Sequence, residues 1–457
     1  MLIASYTFYA LYDWRFSFLL LGVSLITYLA GLLIDYKRDS KAMKNFALIM
    51  CLVLCFGLLM VFKYLGFFSR MFSSIINAIT HKGKYGIVDA LLPIGISFYI
   101  FQTTSYVIDV YRGQPAEKHI GYYGAFASFF PTLLAGPISR SKDLLPQIKM
   151  GHSIKEVDFA VAARYLLLGY FKKVAVANII SIFVNSVYGN LAGTNGLVIL
   201  VATILFAFQI LCDFSGYSDI SVGSAKLFGI DLMENFKEPY GATSIKGFWN
   251  RWHLSLSTWF RDYIYFPLGG SRVNAIRWAF NIMVVFLVSG FWHGTNYTFI
   301  IWGALHGIFQ IIGKFTLSPR NKLLTKMKID VNGKFVKIAR IILTFLLVDF
   351  AWIFFVSNNI QDAGLAITKI FTNWKGNIGL SFTNNGMSAY VAIYVVAVIV
   401  MALYLEKIKY FKESNIKPFT SPVFRYGSYA VMLLLTVWAW IYLASKGIAG
   451  SFIYFEF

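Results

Sequence analysis

The chain has 457 residues, 58% of them hydrophobic and 14% charged, with a mean hydropathy of +0.64. A soluble domain cannot bury that much apolar surface, so the composition excludes an ordinary globular protein and reads as an integral membrane protein. The net charge of +20 would suggest nucleic acid as a partner in a soluble protein, but here the excess falls mostly in short loops, where cations favour the cytoplasmic side, and no nucleic-acid partner is expected.

The N-terminus lacks the basic region and small-residue cleavage site of a signal peptide and is expected to be retained. Apolar runs on the scale of a bilayer crossing, about 20 residues per helix, then follow: Phe16–Ile34, Phe46–Phe62, Leu91–Ile108, Ile120–Ile138, Val174–Tyr188, Gly196–Cys212, Ala279–Trp292, Phe299–Gly313, Ile341–Val356, Ala389–Leu405 and Tyr426–Ser445. We expect an all-α protein with about eleven membrane segments, the shortest of them re-entrant, forming one polytopic domain over residues 1–457. Cys51 and Cys55 are one helical turn apart in an apolar run and read as reduced packing residues. The basic loops Lys314–Arg340 and Lys407–Arg425 look cytoplasmic, and Ser357–Ser388, with only Lys369 and Lys375, looks external. Tyr36–Asn45 and Ser69–Gly86 are both basic although one crossing apart, which leaves the N-terminal orientation open.

The stretch 231–270 is too polar to span and is expected to be re-entrant or interfacial. Within it Trp249, Trp252, Leu256, Trp259 and Tyr263 recur at helical spacing and predict one helix from Lys246 to Tyr265. Asn250, His253, Ser257 and Arg261 form a polar stripe on that helix. Such a stripe either lines a cavity or water path or is the wet face of an interfacial helix.

His81, His119 and His152 lie in loops and receive no role, and His306, between Gly303 and Gly307, reads as a packing residue. His293 differs: it follows Trp292 and precedes Gly294 at a turn between two apolar runs. Ionisable groups at membrane depth mark a pathway or a reactive site, the alternative being a histidine that hydrogen-bonds a loop. Asp213 and Asp219 need partners such as Lys226 or helix ends. No metal is expected, since the H-x-x-H and C-x-x-C patterns are missing; the sequence also lacks a G-x-S-x-G elbow and a phosphate-binding P-loop.

"LPIGISFYIFQTTSYVIDVYRG" (Leu92–Gly113), "FASFFPTLLAGPISR" (Phe126–Arg140), "DFSGYSDISVGSAKLFGI" (Asp213–Ile230), "FWNRWHLSLSTWFRDYIYFPLGG" (Phe248–Gly270), "GFWHG" (Gly290–Gly294), "WGALHG" (Trp302–Gly307) and "FIYFEF" (Phe452–Phe457) resemble the membrane-bound O-acyltransferase family, in its alginate and peptidoglycan O-acetyltransferase branch. The resemblance implies many helices and re-entrant elements around a tunnel, with His293 as the catalytic histidine and His253 as the second tunnel residue. Trp292, Asn250, Ser257, Arg261 and Trp252 flank them as candidate substrate-binding residues. Arg251 and Arg261 bind an anionic donor or anchor to lipid phosphates.

The implied activity moves an acetyl group from a cytoplasmic thioester, acetyl-CoA as donor substrate with no bound cofactor, to an envelope or exopolysaccharide outside the cell membrane. An extracytoplasmic serine-esterase-like (SGNH) partner is expected to complete the transfer. His293 would act as general base and His253 would orient the acceptor, hold the carbonyl or relay a proton. Other readings are D-alanyl transfer to teichoic acid from a carrier-protein thioester, a proton-coupled exporter of a polysaccharide precursor using Asp213, Asp219 and Asp349, and an inactive scaffold.

Overall fold

The computed structural model describes residues 1–80, 93–411 and 422–448. Leu91, Leu92, the terminal FIYFEF motif, His81 and the centre of the Lys407–Arg425 loop lie outside them, as does the end of the Ser69–Gly86 loop. Every regular element among the described residues is helical: α1 (Leu2–Tyr36), α2 (Lys41–Ser69), α3 (Ile96–Tyr111), α4 (Phe159–Gly189), α5 (Gly196–Lys226), α6 (Ile245–Trp249), α7 (Leu254–Phe260), α8 (Ala275–His293), α9 (Tyr297–Phe315), α10 (Leu317–Lys326), α11 (Lys334–Val356), α12 (Ala389–Lys407) and α13 (Pro422–Ser445), with further helices that the site does not use, among them Ser141–Met150 and Ile360–Thr372. Nine of these, α1, α2, α4, α5, α8, α9, α11, α12 and α13, are long and apolar enough to cross a membrane. The protein is an all-α, multi-pass membrane protein. The other two apolar runs of the sequence give α3, with 16 residues, and the pair Ile120–Ala127 and Phe130–Leu133, which are interrupted at Ser128 and Phe129 ahead of Pro131.

The helices gather into two compact units, residues 1–163 with 221–233 and residues 164–220 with 234–457. In the first, several buried hydroxyls and amides find internal partners, as a segment away from water favours. Tyr9 donates to the Ile94 carbonyl (2.7 Å), Tyr28 to that of Lys118 (2.6 Å) and Tyr123 to the Thr27 hydroxyl (2.6 Å). The Gln102 amide donates to the Phe126 carbonyl and accepts from Ser139 N. Cys51 and Cys55 are buried free thiols, in accord with their packing role.

In the second unit, a π-helical segment inside α4, Phe171–Ala177, carries two neighbouring lysines. Lys172 pairs with Asp219 (2.8 Å) and with Glu406, and Lys173 pairs with Asp213. The sequence offered Lys226 as a partner for those aspartates; it pairs with Asp231 instead. An ionised carboxylate this buried is stabilised by a counter-charge beside it, which α4 supplies.

The helix predicted from Lys246 to Tyr265 is broken. α6 ends at Trp249, α7 begins at Leu254, and the π turn Arg261–Tyr265 follows. At the break His253 adopts the left-handed conformation, φ 43°, ψ 56°, which costs a residue with a Cβ about 1–3 kcal/mol. Main-chain pairing stabilises this turn: Lys237 N donates to the Arg251 carbonyl (2.9 Å) and Leu254 N to the Asn235 carbonyl (2.9 Å). The aromatic spacing carries across the break and therefore concealed it.

Candidate active site

α8 is capped at its start by Asn274, whose side chain accepts from Arg277 N (2.9 Å), and ends at His293. Gly294 is extended, and Asn296 caps α9 by accepting from Thr298 N (3.2 Å). A Cβ on Gly290 would strike the Phe299 carbonyl, and one on Gly303 the Phe286 carbonyl, so only glycine allows the two helices their close approach. That approach fixes His293, 3% exposed, edge-on against Trp302 at 4.9 Å between ring centroids. Phe355 of α11 lies 5.3 Å away, and the neighbouring Trp292 ring 4.9 Å.

His253, 1% exposed, packs edge-on against Phe214 at 4.5 Å and lies 6.1 Å from Trp292. The two predicted histidines therefore meet around one indole. Burial pushes the His253 imidazole down to about 3. A ring that stays neutral offers one donor and one acceptor and takes up no proton near neutral pH. Orienting an acceptor or holding a carbonyl suits such a group better than relaying protons.

His306 is fully buried between Phe248 and Phe286, at 6.1 and 6.0 Å with the rings nearly parallel. Its Nδ1 accepts from the Trp249 indole (3.2 Å). In a neutral ring this places the proton on Nε2, which finds no hydrogen-bond partner among the described residues.

A cavity of about 1000 Å³ follows α8. Its lining runs from Trp278 through Ile282, Val285 and Phe286 to Ser289, about 17 Å of helix, and stops one turn short of His293. At the Trp278 end Lys314 stands 3.6 Å over the indole ring. Lys246, Arg261, Lys314, Arg320 and Arg340 all line the cavity, with no Asp or Glu among the lining residues. Of the sequence candidates, Asn250, Ser257 and Arg261 line it; Trp252, Trp292, His253 and His293 do not. Trp249 joins the two regions, facing the cavity and packing on Trp302 at 5.7 Å. Arg251 is committed elsewhere, donating to the Glu238 carbonyl (3.3 Å).

Sequence reasoning misses Lys314, Arg320 and Arg340 because the charge of their loop, in a membrane protein, reports topology first. Its eight cations against the single Asp330, over residues 314–340, were the available signal. By spacing Trp249 reads as part of the aromatic face; its donation to His306 is visible only in three dimensions.

Among the described residues, nine helices able to cross a membrane, two buried histidines around one indole, and a cation-lined cavity that stops one turn short of His293 together suit a membrane-embedded group-transfer enzyme. Residues 8–348 match the membrane-bound O-acyltransferase family, and the chain belongs to that family. It is similar to the probable alginate O-acetylase AlgI of Pseudomonas syringae pv. tomato, 38% identical over 81% of this chain and 69% of the relative. It is also similar to the peptidoglycan O-acetyltransferase of Helicobacter pylori, 32% identical over 85% and 74%. The teichoic acid D-alanyltransferase of Streptococcus thermophilus is 29% identical over 50% of this chain and 59% of the relative. The protein is thus a multi-pass membrane enzyme that transfers an acyl group to a hydroxyl.

Proposed function

We propose that the protein moves an acetyl group from acetyl-CoA on the cytoplasmic side of the cell membrane toward hydroxyls of a polysaccharide outside it. The observation that carries this reading is the cavity, cationic where α9 and α11 meet their basic loop and running along α8 to within one turn of His293. The charge of that loop supports a cytoplasmic side for this end of the cavity. A donor with several phosphates suits the cationic end, and an extended arm along α8 brings its thioester toward His293 past Trp249. The alginate and peptidoglycan O-acetylating relatives match more of the chain, at higher identity, than the D-alanylating one, which supports acetyl as the group carried.

His293 takes the proton of an acceptor hydroxyl as its oxygen attacks the thioester carbonyl. The tetrahedral oxyanion collapses, the ester forms, and the departing thiolate takes the proton back from the imidazolium. General-base help of this kind contributes about 10²–10⁴-fold. His253, held neutral, holds the carbonyl or orients the acceptor hydroxyl. Delivery to the sugar is assigned in this reading to a separate serine-esterase-like protein.

The exporter reading loses its basis in two of its aspartates, since Asp213 and Asp219 are ion-paired with Lys173 and Lys172. The test is donor choice: purified protein in nanodiscs is offered acetyl-CoA or a D-alanylated carrier protein, with and without a candidate partner. Release of free CoA from acetyl-CoA is expected. Turnover of the carrier thioester alone would move the protein to the D-alanylating branch, and turnover of neither would overturn both donor assignments.

A further inference from the structure

His253 occupies the N-cap position of α7, yet its side chain does not cap the helix. The first amides of a helix need acceptors, and here they find them on a residue from a different stretch of chain. Asn235, 1% exposed, accepts from Leu254 N through its carbonyl (2.9 Å) and from Ser255 N through its Oδ1 (3.1 Å). Its Nδ2 donates to the Ser218 hydroxyl of α5 (3.0 Å). One turn earlier Lys237 N closes on the Arg251 carbonyl (2.9 Å). Residues 235–237 thus grip the chain on both sides of His253, the residue in the strained left-handed conformation.

We propose that Asn235 is a positioning residue for His253: it caps α7 in place of the histidine and anchors that cap to α5, so that the imidazole is left to face Phe214, Phe236 and Trp292. An amide is suited to this because it accepts and donates at once. A serine is too short to do both, and aspartate, which could accept from the Ser218 hydroxyl, would put a charge in a buried site. Phe236, next in sequence, lies near-parallel to the imidazole at 6.5 Å, so the same short stretch supplies both the cap and one wall.

This rests on the role proposed above for His253, and the test separates the two. CoA release from acetyl-CoA is measured in nanodiscs for wild type, Asn235→Ala, His253→Ala and the double variant. The alanine keeps the main-chain bond to Leu254 N but loses the Oδ1 acceptor for Ser255 N and the anchor to Ser218, which lets the ring drift, and a displacement of about 1 Å costs about 10²-fold. Asn235→Ala is therefore expected to lower kcat 10- to 100-fold with the KM for acetyl-CoA within twofold of wild type. In the His253→Ala background the same change is expected to cost less than threefold, a coupling that a purely structural asparagine would not show.

Wild-type kcat for Asn235→Ala, a loss carried by KM, or losses that multiply in the double variant overturn the positioning role alone. Wild-type turnover by His253→Ala overturns the role of His253 and this proposal with it. Should Asn235→Ala not yield folded protein, Ser218→Ala removes only the anchor. A kcat loss of two- to tenfold that vanishes in the His253→Ala background supports the proposal, and an unchanged kcat overturns it.

Discussion

Lys172 stands between two carboxylates, Asp219 and Glu406, at a depth where each charge is worth keeping only with the others. Replacing it with methionine leaves both carboxylates buried without their cation, a loss of about 3–5 kcal/mol for a broken buried pair. Lys172→Met is therefore expected to lower the denaturation midpoint in detergent sharply; an unchanged midpoint would contradict the pairing. His253 makes a second prediction through pH. Its pKa is depressed from 6.5 to about 3 by burial, so below 6.5 the unfolded chain binds a proton that the native one refuses. The stability this group leaves intact above 6.5 is lost as pH falls from there toward 3, by about 1.4 kcal/mol per unit. His253→Asn should flatten that acid slope by one proton, and an identical slope would show that the ring is not buried as described. Both sites were partly legible. The sequence marked the aspartates as needing partners but placed Lys172 and Lys173 just outside an apolar run, since hydropathy cannot see a cation that is neutralised three-dimensionally. Asn235 gave no signal, because it lies in an irregular stretch without period, where an asparagine reads as ordinary turn chemistry.

At the level of elements, the α8–α9 hairpin sets the position of His293. Gly290→Val and Gly303→Val each drive a side chain into backbone of the facing helix and are expected to cost about 1–3 kcal/mol and to reduce turnover steeply, whereas Gly57→Ala in α2, where a Cβ meets nothing within 4 Å, should behave as wild type. Equal tolerance at all three positions would show that the hairpin does not depend on close approach. This hairpin was readable in advance: two apolar runs, a Trp-His-Gly turn and glycines on one face of the second helix. The break between α6 and α7 was not. Hydrophobic period reports which side chains share a face, and it is blind to a turn that rejoins the same register; the left-handed His253 is a tertiary outcome, maintained by residues 235–237.

Across the whole molecule, the positive charge that first pointed to cytoplasmic loops also furnishes one end of the cavity. If those cations attract a polyanionic donor, Lys246→Glu and Arg340→Glu should each raise the KM for acetyl-CoA by about tenfold, or about 1.4 kcal/mol, with kcat within threefold. The KM of the wild type should rise with ionic strength and that of the variants less so. A KM insensitive to both charge and salt would move donor binding away from this cavity. Composition made the membrane class plain, and motif order made the family plain. Cavity geometry was not accessible to either, since its lining draws on residues from 243 to 347.

The most direct measurement is the rate of CoA release from acetyl-CoA by His293→Ala beside His306→Phe, both in nanodiscs and both checked for folding and donor binding. The account predicts a loss of about a hundredfold or more for His293→Ala and less than tenfold for His306→Phe. A His293→Ala variant as fast as wild type would contradict the assignment of the chemistry to this histidine.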